Sequence, residues 1–350
     1  MQPLLSIVVA VYNVQGYLEK CLQSLSNAAI DEETVEIVIV DDASADNCWG
    51  IIEKFCETCV NFHAIRHKTN LGAGPARNTG LESCTGQYVW FVDGDDYISP
   101  EYISGVLELI SSIGPDILVV RARGIEVDGR EYVHETSNLN FETGRLMPIE
   151  DYYLKNNRYG YTWMYISKVA LINKNKIKFK DMRSMQDTDF YARLFAGCTN
   201  IYVSSIVCYN YVKRPSSTMN DGSAGAVIGR LRSQLQVYAS LSEFIKINYT
   251  SPKMNRAIED RLAQIEFSAM LRYLVTPMPA EQVVEIFNSL SATGIYPFRW
   301  QPERWSAKHL YYNIIKNAVN VSPIVARSLH VWFHSWASAT RDRICKLLLG

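Results

Sequence analysis

Charge of one sign is not in excess anywhere along most of this 350-residue chain: 35 Lys+Arg stand against 36 Asp+Glu, a formal net charge of −1. Without a basic surplus there is no global electrostatic footprint for nucleic acid, and no nucleic-acid partner is expected. Long apolar runs are missing too. Near the C-terminus the longest stretch free of Lys, Arg, Asp and Glu, Ser328 to Thr340, is well short of the roughly 20 apolar residues a spanning helix needs. No transmembrane segment is expected. The opening MQPLLSIVVAVYN lacks the basic n-region and cleavage site of a signal peptide, so the mature protein is expected to start there and to stay in the cytoplasm. Repeats and low-complexity tracts are absent. The eight cysteines are scattered singly, apart from Cys56 and Cys59. With His63 and His67 that pair could be drawn as a zinc set. Finger-type sites, however, usually separate the Cys pair from the His pair by about a dozen residues, so reduced, unlinked thiols are the better reading.

What is present is alternation. SIVVAVY is an uninterrupted apolar run suited to a strand buried on both faces of a parallel sheet. A helix follows, with Leu18, Leu22 and Leu25 on one face. VEIVIV, Val35 to Val40, reads as a second strand; it leads into DDASADN, where Ser44 and Asp46 offer N-caps for a helix carrying Ile51, Ile52 and Phe55. A short strand over Phe62 to Arg66 precedes the Gly-rich NLGAGPARNTGL, with a helix from about Pro75. Next comes YVWFV and an acidic cluster. A helix over Tyr102 to Ile110 and a strand over Ile117 to Val120 continue the pattern, followed by a more irregular stretch to about Asn157. IYVSSIVCYNYVKR alternates, as in an antiparallel pair at a sheet edge. The expected fold class is α/β, a right-handed, mostly parallel, doubly wound sheet with a C-terminal α-helical extension. Composition shifts to amphipathic helices after about residue 218, which divides the chain into 1–218 and 219–350.

Ligands of open parallel sheets sit at the carboxyl ends of strands. Tyr12 and Asn13 end the first strand, Asp41 and Asp42 the second, and Asp93, Asp95 and Asp96 the fourth, so all are expected to face one crevice. Asp93 and Asp95, at alternate positions through Gly94, repel in a partly dry cleft. A divalent cation relieves that repulsion, and oxygen-only ligands favour Mg²⁺ or Mn²⁺ bridging carboxylates to substrate phosphates. A solvated acidic turn is the competing reading of DGDD. Asp42 can accept from a ribose or a base N–H, Tyr12 can stack on a base, and the turn at Gly72 and Gly74 with Arg77 makes an anion cradle. VYNVQGY is not a GxGxxG turn, which disfavours nicotinamide chemistry.

In order, SIVVAVYN, VIVDDAS, NLGAGPARNTGL, GQYVWFVDGDD, the Trp163 region, MQDTDF and YNYVKRPSSTM resemble the motifs of family 2 glycosyltransferases of the GT-A fold. The resemblance covers residues 1 to about 218. It implies an inverting enzyme that uses a nucleotide-sugar, most often a UDP-sugar, and a divalent metal, acting on a glycan or lipid-linked glycan acceptor of a bacterial surface polysaccharide such as O-antigen or capsule. Carried over by position, Ala10, Tyr12 and Asp42 hold uridine, with Asn70 and Arg77 as helpers. Asp93 and Asp95 match the DxD motif, Asp93 toward ribose or metal and Asp95 on the metal. Asp187 matches the catalytic base, with Asp189 as fallback, and Arg214 lies where relatives place a basic residue near the diphosphate. Two positions depart from the pattern: Ala10 stands for a common Pro, and Gln186-Asp187 for Glu-Asp.

Two rivals follow. A nucleotidyltransferase also uses a metal at a doubly wound sheet, but shows a Gly-rich basic loop after its first strand that VYNVQGY lacks. A non-catalytic nucleotide-sugar-binding module is the other. The tail offers a further expectation. The last fifty residues hold seven Lys/Arg against two acids, and a helix over Ile324 to Leu349 puts Val325, Leu329, Trp332 and Trp336 on one stripe. Such a helix either packs on the catalytic domain or a second copy in a homo-oligomer, or lies peripherally on an anionic membrane.

Overall fold

The computed structural model describes residues 2–28, 33–138, 143–214, 223–248, 250–276 and 278–297, with 316 and 320. It divides into two compact units, Met1–Met182 with Gln186–Ser217, and Arg183–Met185 with Thr218–Gly350.

The first unit opens with the expected alternation: β1 (Leu5–Val11), α1 (Gln15–Ser26), β2 (Val35–Asp41), α2 (Cys48–Thr58), β3 (Phe62–Arg66), α3 (Ala73–Ser83) and β4 (Tyr88–Asp93). β1 pairs in parallel with β2 on one side and β4 on the other, and β2 with β3. Every residue of β2 and all but Ala10 of β1 are buried, as apolar runs covered by helices on both faces require. Gly80 sets how closely α3 approaches: a Cβ there would stand 2.3 Å from Val8 Cγ1.

After β4 come β5 (Tyr97–Ile98), α4 (Ile103–Ser112), β6 (Ile117–Glu126), β7 (Glu131–Tyr132), β8 (Arg145–Pro148), α5 (Ile149–Asn156), β9 (Tyr165–Lys168), α6 (Val169–Lys174), α7 (Gln186–Ala196) and β10 (Asn200–Lys213). The strand order is β3-β2-β1-β4-β9-β6-β10-β5, with β7 on β6 and β8 on β10. β9 is antiparallel to both its neighbours, β4 and β6. The sheet is therefore mixed and mostly parallel. β10 runs parallel to β6 over most of its length and antiparallel to β5 and β8, so the expected antiparallel edge pairing describes only its outer side. The stretch read as irregular up to Asn157 holds β7, β8 and α5, and the strand expected to stop at Val120 continues to Glu126. Ser44 is not an N-cap; its Oγ accepts from Asn13 N at 3.0 Å. Asp46 instead serves two helices, Oδ1 accepting from Cys48 N at 3.1 Å and Oδ2 from Gln15 N at 3.0 Å.

The second unit is helical over α8 (Ala224–Ile247), α9 (Pro252–Val275) and α10 (Ala280–Ala292). Ser223 and Ser251 cap α8 and α9, accepting from Ala226 N and Met254 N at 3.3 and 3.1 Å. Its core gathers Leu231, Leu235, Met270, Leu274, Ile286 and Leu290. Among the described residues no helix is long and apolar enough to cross a membrane. The tail helix with its tryptophan stripe lies outside the described residues.

Candidate active site

The strand register brings the candidate residues to one level. Ala10 lies opposite Asp93 and Val11 opposite Asp41, so β1, β2 and β4 end together. Gly94 lets the acid turn close on β1: its N–H donates to Ala10 O at 3.0 Å, and a Cβ would stand 3.1 Å from both that oxygen and Val11 Cγ2. The loops after β1 and β2 are laced together, since Asn13 Oδ1 also accepts from Ala45 N at 2.8 Å. Asn13 and Ala43 both take left-handed backbone, φ 50° and 60°, a costly conformation for alanine that marks a constrained turn. Tyr12 stands out of this lacing, 47% exposed, with a ring open to a planar ligand.

Asp42 is buried and already heavily engaged. Its Oδ1 accepts from Leu71 N at 2.9 Å and its Oδ2 from Gly72 N at 2.7 Å. His67 Nδ1 lies 2.7 Å from Oδ1, and His67 Nε2 lies 2.9 Å from Thr79 Oγ1. A carboxylate demands the proton on Nδ1, which leaves Nε2 to accept from the Thr79 hydroxyl. Of about four acceptor positions on a carboxylate, three are filled, leaving one open. Asn70 Nδ2 donates to Asp42 O at 3.4 Å, so it braces the same corner. His67 was legible in the sequence only as a member of a metal set. Its place one residue beyond β3, beside the end of β2, is the signal for its actual role.

The acid turn is compensated by arginines. Arg77, buried on α3, donates from Nη2 to Asp93 Oδ1 at 2.5 Å, and Arg214 pairs with Asp95. Burial pulls the Arg77 guanidinium down, but Asp93 and then Asp187 outweigh it and raise its pKa. It stays cationic. Burial and Asp93 push the Asp95 carboxyl up against the pull of Arg214. Asp96 does something else: its oxygens accept from Tyr209 Oη at 2.6 Å and Val212 N at 2.7 Å. Burial, then Asp95 and Asp93, push it well above the usual carboxylate range. It fastens the turn to β10 and thereby sets where Arg214 begins. The charge relief expected from a cation alone is thus shared with two guanidiniums. The residues still fit a hard cation, because one oxygen of Asp93 and one of Asp95 carry no partner among the described residues. No group of three metal-ligating side chains occurs among the described residues, so a cation held there would take its other ligands from elsewhere, as substrate phosphates and water supply them at Mg²⁺ sites.

Asp187 lies in the first turn of α7, its Oδ1 taking Thr188 N at 2.7 Å. The start of α7 lies against α3, where a Cβ on Gly74 would stand 3.7 Å from Gln186 Cγ, and the Asp187 charge adds to the rise in the Arg77 pKa. Asp189, the fallback base, is fully buried and accepts from Arg193 Nε at 2.9 Å. That pair is spent within α7, and Asp189 is withdrawn as a candidate. Away from these residues, a depression of about 730 Å³ lined by Gln2, Gly86, Gln87 and Lys168 opens at the opposite, amino end of the strands and holds no cluster of acids.

The profile of glycosyl transferase family 2 matches residues 6–178. The chain is 28% identical over 239 residues to the uncharacterized glycosyltransferase EpsJ of Bacillus subtilis (strain 168), covering 67% of this chain and 69% of that protein. It is 29% identical over 215 residues to the poly(ribitol-phosphate) β-N-acetylglucosaminyltransferase TarS of Staphylococcus aureus (strain Mu50), covering 60% of this chain but only 35% of TarS. The solved structure of S. aureus TarS 1–349 in complex with UDP superposes with a TM-score of 0.70 at 21% identity, covering 95% of this chain and 91% of that one. The Pyrobaculum calidifontis mannosyltransferase PcManGT, in complex with GDP-Man and Mn²⁺, gives 0.56 at 13% identity, with 95% and 86% covered. These likenesses fix the fold as GT-A. Since the matched segment carries β1 to β4, the arginine-paired acids and the His67 corner, the chain belongs over residues 6–178 to glycosyl transferase family 2.

Proposed function

We propose that the protein transfers a sugar, with inversion, from a UDP-sugar to a hydroxyl of a glycan or lipid-linked glycan acceptor in the making of a bacterial surface polysaccharide. The observation that carries this reading is the ion pair of Arg77 with Asp93 at the strand ends, beside the first turn of α7 that holds Asp187 and begins against α3 at Gly74. In this reading the diphosphate leaves on the Asp93 side of the anomeric carbon and the acceptor hydroxyl attacks on the Asp187 side. Tyr12 stacks on the base, the open acceptor position of Asp42 takes its N–H, and Ala10 and Asn70 shape the corner. Asp187 accepts the proton of the acceptor hydroxyl as its oxygen attacks the anomeric carbon from the face opposite the diphosphate. The C–O bond to UDP breaks in the same step. Arg77 and Arg214 receive the charge that develops on the departing phosphates. Asp93 and Asp95 would hold Mg²⁺ or Mn²⁺, which supplies Lewis-acid stabilisation to that leaving group. UDP release from UDP-sugars is the first assay, since the similar TarS structures were solved in complex with UDP and with UDP-GlcNAc. The Asp187→Asn variant should lose about 10²–10⁴-fold in transfer, while UDP affinity by calorimetry barely changes. Retained transfer removes Asp187 from the role, pyrophosphate release would identify a nucleotidyltransferase, and binding without turnover on any acceptor a non-catalytic module.

A further inference from the structure

Beside the acid turn a second set of side chains forms a shelf. Tyr161 and Trp163 stack with ring centres 5.2 Å apart at 21°, and Trp163 stacks on Tyr209 at 4.6 Å and 9°. His134, 5% exposed, seals the side of this stack, its ring centre 5.3 Å from Tyr161, 5.4 Å from Trp163 and 5.1 Å from Tyr211. Trp163 and Tyr209 are buried, whereas Tyr161 keeps part of its surface in solvent. One face of Tyr161 lies on Trp163, an edge meets His134, and its hydroxyl donates to Glu135. With one face, one edge and the hydroxyl so engaged, the face turned away from Trp163 is the part of the half-buried ring that these contacts leave over. Buried aromatics behind it hold that face rigid, and the exposed carboxylate of Glu135 rims it.

The shelf stands where an acceptor must arrive. Gly160, just before Tyr161, lies against the first turn of α7, where an added Cβ would meet Thr188 Oγ1 at 3.3 Å. Tyr191 of that helix donates to Thr162 O at 3.1 Å. On the other flank Tyr209 donates to Asp96, and Asp93 N donates to Tyr209 Oη at 3.2 Å. The 160–163 segment thus bridges the helix of Asp187 and the acid turn.

We propose that the open face of Tyr161 is the platform of an acceptor subsite for a pyranose ring of the acceptor glycan, with Glu135 accepting from a ring hydroxyl; this rests on the glycosyltransferase reading above. The C–H bonds on one side of a pyranose form a flat, weakly positive surface that suits the negative face of an aromatic ring. An open-chain polyol phosphate offers no such surface, and its charge is repelled by Glu135.

The test is saturation-transfer NMR on the full chain with UDP, using the methyl β-pyranosides of glucose, galactose, N-acetylglucosamine and N-acetylgalactosamine, and ribitol 5-phosphate as the open-chain comparison. At least one pyranoside should receive saturation on the protons of one ring face. Its affinity should fall about tenfold in Tyr161→Ala and return in Tyr161→Phe, which keeps the ring. Should Tyr161→Ala not fold, Glu135→Ala serves, with a loss of roughly threefold to tenfold expected for one hydrogen bond. Binding that survives both substitutions, ribitol 5-phosphate binding better than every pyranoside, or no pyranoside binding at all overturns the subsite. UDP release from UDP-sugars, measured alongside, separates the two claims. Donor turnover without Tyr161-dependent saccharide binding sinks the subsite alone, and Tyr161-dependent binding without any donor turnover sinks the transferase reading alone.

Discussion

At the scale of single residues, the polar groups that matter most are those bonded across long stretches of sequence. Asp42 is held by His67 and by the amides of Leu71 and Gly72, so the corner proposed for the nucleotide depends on a side chain that itself need not touch it. His67→Ala should weaken UDP binding by about tenfold, the worth of one charge-assisted hydrogen bond, with little change in the turnover of saturated enzyme; titration calorimetry and the KM-against-kcat split check it. At the other end of the strands, buried Glu36 accepts from Thr85 Oγ1 at 2.9 Å and Gly86 N at 3.0 Å, and also from Ser6 and Thr85 N. Burial pushes its carboxyl up, but these donors outweigh burial and hold it below its ordinary 4.5. A depressed carboxylate contributes stability that is present above its unfolded pKa and lost as pH falls through the folded one. Glu36→Gln should therefore cost about 1–3 kcal/mol at neutral pH, and the gap to wild type should narrow below pH 4.5 in melting curves. The acid turn of Asp93, Asp95 and Asp96 could be placed at a strand end from the sequence because it directly follows an apolar run. The parts played by Asp96, Asp189 and His67 could not, since Asp96 finds Tyr209 across 113 residues and nothing local announces it.

At the scale of elements, apolar runs and helical spacing were enough to place β1 to β4 and the helices between them, because each is defined by local periodicity. The position of β9 was not legible. Four residues wedged antiparallel between β4 and β6 have no periodic signature that says with which strands they pair. The same limit hid β5, two residues that pair with Tyr209 and Asn210. The packing of α3 on β1 yields a prediction of its own. Gly80→Ala forces a methyl against Val8, which should cost about 1–3 kcal/mol of overpacking and lower the melting temperature by roughly 2–4 °C per kcal/mol. Because α3 carries Arg77, UDP release should fall as well. Calorimetry and the release assay on the same preparation check both.

For the whole molecule, two units with separate cores imply separable responses to ligand. UDP at about a hundred times its Kd should stabilise the unit it binds by about 2.7 kcal/mol, so scanning calorimetry should show one transition rising while the helical unit's stays in place. A single transition rising as one would show that the two units unfold cooperatively. The borders of the sheet carry a different consequence. β3 has five residues and ends in Arg66, while the outer side of β10 is covered by four-residue β8 and two-residue β5. Short, charged or covered margins offer little template for strand addition. Concentrated solutions of the protein should accordingly resist amyloid-like pairing along these margins, and self-association, where it occurs, has to use surfaces other than the sheet.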